Sequence, residues 1–297
     1  MTLGLILADG LVYAAWLFII SIGLTLICGV MKILNVAHGA VYAIGAYTAA
    51  AAIGAYAQSG LPAAWVYVIM ALSAVLTGGV VGLLLERIVL RQLYSRDEII
   101  AVLATFAIFL ILEDLLLMVF GRQTIFAYAP YTALGSLQIG DLVVARYDVA
   151  LIILAAVMAA GLWWFLHRTK FGRILFVVIY SRETATAFGV DVRKVFVATF
   201  VAGSILAALG GAFTAPKISV APGMGVEVIV IAFAIVAVGG MGSIQGALAA
   251  ALLVGVFRAA AVHLVPSIEM FVVYLVMAAV LAVRPYGLFT RSKPRVI

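Results

Sequence analysis

Long apolar stretches separated by short polar links dominate the chain, running roughly Leu11 to Met31, Val36 to Ala57, Pro62 to Leu85, Ile99 to Phe120, Val149 to Leu166, Val195 to Phe213, Val226 to Val238, Ile244 to His263 and Ile268 to Val283. About 20 apolar residues in helical form span the hydrocarbon core of a bilayer. Lipid offers the backbone no hydrogen-bond partner, so such runs predict helices. The pattern therefore predicts an all-α polytopic integral membrane protein with about eight or nine transmembrane helices, and one transmembrane domain over residues 1–297. The first and second runs are separated only by KILN and the seventh and eighth only by GGMGS. Either pair is open to being a broken or re-entrant element.

Composition agrees with a lipid solvent. The 297 residues are 67% hydrophobic and 10% charged, against about 25% charged in a soluble domain. The lone Cys28 excludes a disulfide framework and a cysteine-based metal site, and reads as a small buried hydrophobe. No Lys or Arg precedes Lys32, so the start lacks the basic region of a signal peptide and leads into a retained helix. The net charge of +6 comes from residues between apolar runs, where Lys and Arg mark the cytoplasmic side. With nine spans and the first residue outside, the inner side receives Lys32, Arg87, Arg91, Arg96, Arg168, Lys170, Arg173, Arg182, Arg193, Lys194, Arg284, Arg291, Lys293 and Arg295, 14 of the 18 basic residues. Arg122, Arg146, Lys217 and Arg258 fall outside. The N-terminus is expected outside and the C-terminus inside.

Two links are long enough to have structure. Residues 121–148, with Pro130, Gly135 and Gly140, predict a short hairpin or cap on the outer side. Residues 167–194 are inside and basic, with a helical pattern around Arg182 to Phe188.

The chain holds no GxxxxGK[ST], HExxH or GxSxG sequence and no carboxylate pair beside a base, so neither nucleotide chemistry nor a familiar hydrolytic site is encoded. His38, His167 and His263 lie apart, and no metal site is expected. Ionisable groups inside a span are candidates for function. Glu113 and Asp114 are such a pair, but neighbours on a helix point about 100° apart and cannot share a face. A path-lining role and a structural one both remain open for them. Asn35 and His38 stand where the apolar pattern breaks, and a broken helix can aim its positive N-terminus at an anionic group. A polar contact that holds the bend explains them equally well. Small residues let helices approach closely in lipid, which nominates Gly39, Gly45, Gly239, Gly240 and Gly242 as packing or hinge positions. Arg258 and His263 approach the outer end of the eighth run, where Arg258 is expected to snorkel.

Four stretches in order, GLTLICGVMKILNVAHGAVYAIGAY, SRETATAFGVDV, GMGVEVIVIAFAIVAVGGMGSIQGALAAALLVG and RPYGLF, resemble the shorter, H-type permease of branched-chain amino-acid ABC transporters. The likeness covers nearly the whole chain, and the missing N-terminal extension of the longer sister permease favours the H-type. The resemblance implies a bacterial inner-membrane permease without ATPase activity or a cofactor of its own, ATP and magnesium belonging to partner subunits. Its implied partners are a second homologous permease, two cytoplasmic ATPases, a periplasmic binding protein and lipid, with no nucleic acid. It also implies a helix that docks in an ATPase cleft, here Arg182, Glu183, Thr184, Ala185 and Gly189, where Thr184 departs from the family's second alanine. Substrates other than branched-chain amino acids stay open, among them urea, short amides and aromatic acids. So do an ion-coupled transporter or channel using Glu113 and Asp114 as a relay, and a purely structural membrane scaffold.

Overall fold

The computed structural model describes residues 2–58, 60, 62–94, 96–139 and 142–289. Its elements are α1 (Thr2–Met31), α2 (His38–Ala57), α3 (Val66–Leu85), a π-helical turn (Glu86–Leu90), α4 (Arg91–Leu93), α5 (Glu98–Phe120), α6 (Ala129–Ala133), β1 (Ser136–Ile139), β2 (Leu142–Ala145), α7 (Arg146–Arg168), α8 (Lys170–Tyr180), α9 (Arg182–Ala187), α10 (Val192–Thr214), α11 (Met224–Gly239), α12 (Ile244–Leu264) and α13 (Glu269–Val283). Among the described residues, eight helical segments are long and apolar enough to cross a membrane, and α11 is a shorter apolar helix. The seventh apolar run is thus present but is not a full-length span.

α1 is apolar all round, and a helix of that kind belongs in the interior of a bundle. Leu17, Phe18, Ile19, Ile20, Ile22 and Leu24 are fully buried, surrounded by α7, α10, α11 and α12. Small residues make the approach possible. A Cβ added to Gly29 would stand 2.6 Å from the Cα of Gly242, and one on Gly203 would stand 2.5 Å from Ile27. The outer helices α3, α5, α7 and α13 instead expose Leu76, Leu103, Val157 and Leu275, as lipid contact requires.

Contacts sort the two ends of the bundle. At one end Asp9 pairs with His263, and Lys217 of the α10–α11 link pairs with Asp148. At the other end Gly29 meets Gly242, Arg182 reaches Met31, and Leu288 and Phe289 hydrogen-bond to Val238 and Gly239. The start of α1 and the described C-terminal end therefore lie on opposite faces. Arg291, Lys293 and Arg295 lie outside the described residues.

The third run continues past Leu85. Glu86 turns inward and is buried, and Tyr94 donates to its Oε1 at 2.6 Å. The π turn at Glu86–Leu90 adds a residue to one helical turn and so re-aims the charged stretch. Tyr94 stacks edge-on against Phe196, 5.0 Å between centroids, and burial together with Glu86 pushes its hydroxyl above the ordinary value. The 121–148 link forms the expected hairpin, β1 antiparallel to β2, with α6 before it. Gly140, expected in its turn, lies outside the described residues. The 167–194 link holds two helices. α8 buries Gly172, Leu175 and Val178 along one side.

Candidate functional site

Two helices start inside the bundle; their first turns meet, and a carboxylate caps one of them. α1 ends at Met31, where Lys32 adopts a left-handed backbone, φ 55°, that turns the chain back among the helices. Asn35 is buried in the irregular segment beyond it. α2 begins at His38, whose Nε2 donates to the Ile20 carbonyl at 3.3 Å. Ile20 lies eleven residues before Met31, about 16 Å along the helix, so α2 starts deep within the bundle. Backbone at that depth must be satisfied by protein. Thr105 of α5 does this, its Oγ1 accepting from the Val36 N–H at 3.2 Å and lying 3.4 Å from the Leu34 carbonyl.

The second interruption precedes α11. Gly223 takes φ 82° immediately before the helix, a conformation that glycine alone adopts without strain. α11 has 16 residues, about 24 Å, too short for a hydrocarbon core of about 30 Å. Its first turn lies against that of α2, since a Cβ on Gly225 would stand 3.0 Å from the Gly39 carbonyl oxygen. Glu113 enters here. The Gly223 N–H donates to its Oε2 at 3.3 Å, while Oε1 is buried without a hydrogen-bond partner among the described residues.

Electrostatics distinguish the two starts. Glu113 supplies the negative charge that the N-terminus of α11 favours. At the start of α2 the cap residue Ala37 offers no side-chain acceptor. The buried Asn35 amide and His38 Nδ1 have no hydrogen-bond partner among the described residues. The His38 and Gly39 N–H groups donate to the Asn35 and Val36 carbonyls, so the helix dipole and the unpaired polar side chains within one turn are what suit an anionic group here.

Glu113 and Asp114 diverge as their adjacency requires. Glu113 faces inward, while Asp114 is exposed on the surface that carries Leu110, Ile111, Leu115 and Met118. Asp114 lies six residues before the end of α5, about 9 Å along the helix, and a carboxylate facing lipid there still carries a cost that water or protein on that face relieves.

The remaining glycines are at close crossings. Gly45 packs onto Ala208, Gly239 onto Gly246, and Gly242 with φ 82° onto Gly29, while Gly240 with φ 97° ends α11. Arg258, expected to snorkel, pairs with Glu269 and lies 4.1 Å from the centroid of the Tyr13 ring. Among the described residues, no group of three or more His, Cys, Asp or Glu is placed to hold a metal ion.

The second notable region is α9. Ser181 caps it, accepting from the Thr184 N–H at 3.1 Å. It ends at Gly189, φ 77°, where Gly189 N–H bonds to the Thr186 carbonyl and Val190 N–H to the Ala185 carbonyl. This paired closure is the glycine-terminated Schellman arrangement. Ala185 is buried and anchors the helix, whereas Glu183, Thr184, Gly189 and Phe188 are exposed, Phe188 at 80%. Phe176 and Tyr180 add exposed apolar surface nearby in the chain.

Sequence reasoning did not single out Thr105, Gly223, Gly225 or the Glu86–Tyr94 pair. Of these only Gly223 and Gly225 carried a visible signal, as glycines beside Pro222.

The family model for the permease component of the branched-chain amino acid transport system matches residues 6–281. A high-affinity branched-chain amino acid transport system permease protein of Pseudomonas aeruginosa is 26% identical, over 97% of this chain and 95% of its own length. One of Escherichia coli is 25% identical, over 96% and 94%. A probable branched-chain amino acid transport permease protein of Methanocaldococcus jannaschii is 27% identical, over 96% and 91%. No solved structure matches.

Proposed function

We propose that this chain, which belongs to the branched-chain amino acid transport permease family, is one membrane half of an ATP-driven importer that passes an amino acid from a periplasmic binding protein to the cytoplasm by alternating access. The family and the eight apolar helices make it a multi-pass membrane transport subunit and not an enzyme. The finer reading rests on the meeting of the α2 start, the α11 start and Glu113. A transported amino acid carries a carboxylate, which the uncapped start of α2 with Asn35 and His38 suits. Its aliphatic side chain suits the apolar, small-residue helices around it. The exposed Asp114 on α5 suits a path or a contact with the second, homologous permease, since a carboxylate facing bare lipid carries a cost.

The end carrying α9 is the cytoplasmic face in this reading, since Lys32, Arg87, Arg91, Arg168, Lys170 and Arg173 belong to it and basic residues resist translocation. There Glu183, Thr184, Ala185 and Gly189 present α9 to a partner ATPase. ATP and magnesium act on that partner, and this chain contributes the docking helix and the moving spans. Names of relatives support a branched-chain amino acid as substrate.

The Glu113 and Asp114 geometry argues against the ion-relay alternative, because the two carboxylates face different surroundings. Uptake of labelled leucine into proteoliposomes containing both permeases, the ATPases and external binding protein tests the proposal. Accumulation only with ATP on the ATPase side supports it. Gradient-driven uptake by this chain alone overturns it.

A further inference from the structure

Arg182 opens α9 and is exposed overall, yet its guanidinium reaches back to the bundle. Its Nη2 donates to the Met31 carbonyl at 2.8 Å, bridging 151 positions of sequence, and its Cζ lies 4.9 Å from the centroid of the Phe196 ring in α10. Met31 is the last residue of α1, so this carbonyl has no partner further along the helix. A guanidinium is well suited to satisfy it, and the flat face is free to stack on an aromatic ring.

The segment beyond Met31 gives the contact its consequence. Lys32 takes the left-handed turn, and the irregular stretch carries Asn35 to the start of α2 at His38. That stretch is tethered on its far side by Thr105, through the Val36 N–H and the Leu34 carbonyl. Displacement of α9 therefore has a direct route, by way of one charged hydrogen bond, to the hinge that holds the α2 break. The neighbouring Ala185 anchors α9 in the same apolar cluster as Met31 and Phe196, which keeps the three elements in register.

We infer that Arg182 is a positioning residue, a strut that transmits motion of α9 to the end of α1 and through it to the segment holding Asn35 and His38. The inference rests on the importer reading and specifies where force enters the site. It separates two roles within one short helix: Glu183 and Gly189 serve the exposed docking face, and Arg182 serves the inward link.

The test uses the full reconstituted complex, with Arg182→Ala, Arg182→Lys and, as a second route to the same contact, Phe196→Leu. Arg182→Ala is expected to retain its ATPases at parent stoichiometry while leucine taken up per ATP hydrolysed falls about tenfold or more, the scale of a lost hydrogen bond to a charged group. Arg182→Lys keeps a donor but loses the flat stack, and Phe196→Leu loses only the stack, so both are expected to fall between. A direct readout is the alkylation rate of Leu34→Cys in a Cys28→Ser background, with and without ATP and vanadate. With Arg182 present the rate changes with nucleotide, and with Arg182→Ala it does not. Unchanged uptake per ATP in Arg182→Ala, loss of the ATPases from that variant, or a Leu34→Cys rate indifferent to nucleotide in the parent would each overturn the strut. A parent chain that holds no ATPase at all defeats the importer reading itself, before any variant is made.

Discussion

Gly39→Ala and Gly54→Ala make the same chemical change on one helix, and the structure separates their outcomes. A Cβ on Gly39 would collide with the Gly225 carbonyl oxygen and stand 2.8 Å from the Ile229 Cβ, where ordinary contacts begin at 3.4 Å. A Cβ on Gly54 meets nothing within 4 Å. Relief at Gly39 requires α2 and α11 to part by roughly 0.6 Å or more, and overpacking of that kind costs about 1–3 kcal/mol. Both substitutions gain up to about 1 kcal/mol of helix propensity, which cancels in the comparison. The two variants should therefore differ by about 1–3 kcal/mol, with Gly39→Ala the less stable. Thermal unfolding in nanodiscs measures the difference, and leucine uptake by the reconstituted complex should fall in Gly39→Ala alone, because its clash separates the two helix starts. Equal melting and equal uptake would refute the close contact and the site built on it.

Thr105→Val removes the acceptor of the part-buried Val36 N–H and should destabilise by about 1–3 kcal/mol, measured by the same unfolding assay against Thr199→Val, whose Oγ1 donates to Val195 within its own helix. Gly189→Ala forces a side chain into the left-handed end of α9 at a cost of about 1–2 kcal/mol. It should lower ATP-dependent uptake while leaving the amount of inserted chain unchanged on immunoblots. Glu113→Gln keeps an acceptor for the Gly223 N–H but removes the charge that suits the α11 dipole, about 0.3–2 kcal/mol. Uptake should slow, and a rate equal to the parent's would leave Glu113 a packing group. The Asp191 carboxyl is held below its usual range, first by accepting the Lys194 N–H as cap of α10. Its stabilising effect is present at neutral pH and lost as pH falls through that lowered value. The melting midpoint of Asp191→Ala should therefore lie below the parent's at pH 7 and converge on it in acid.

Apolar run length was enough to place the spanning helices, because lipid leaves a long apolar backbone few alternatives. The breaks at KILN and GGMGS were visible as gaps, yet which one enters the bundle depends on tertiary contacts. Asn35 and His38 were legible because polar residues interrupt an apolar pattern there. Thr105 was not, since a threonine within an apolar span gives no sign of whose backbone it serves. The short apolar stretch of α8 read as link instead of helix, its eleven residues falling below the length of a span. The charged residues after Leu85 read as a stop, and Tyr94, which donates to the buried Glu86, packs on Phe196, far along the chain. Arg182 was legible as part of a docking helix, but its inward direction needed the position of Met31.

In the importer reading a nucleotide-driven partner engages this chain at α9. Photocross-linking from Phe188, exposed at the end of that helix, in the purified assembly tests it most directly. A product joining this chain to an ATPase subunit, weakened in Gly189→Trp, is the predicted result. Cross-linking of Phe188 only to lipid or to the periplasmic binding protein would contradict it.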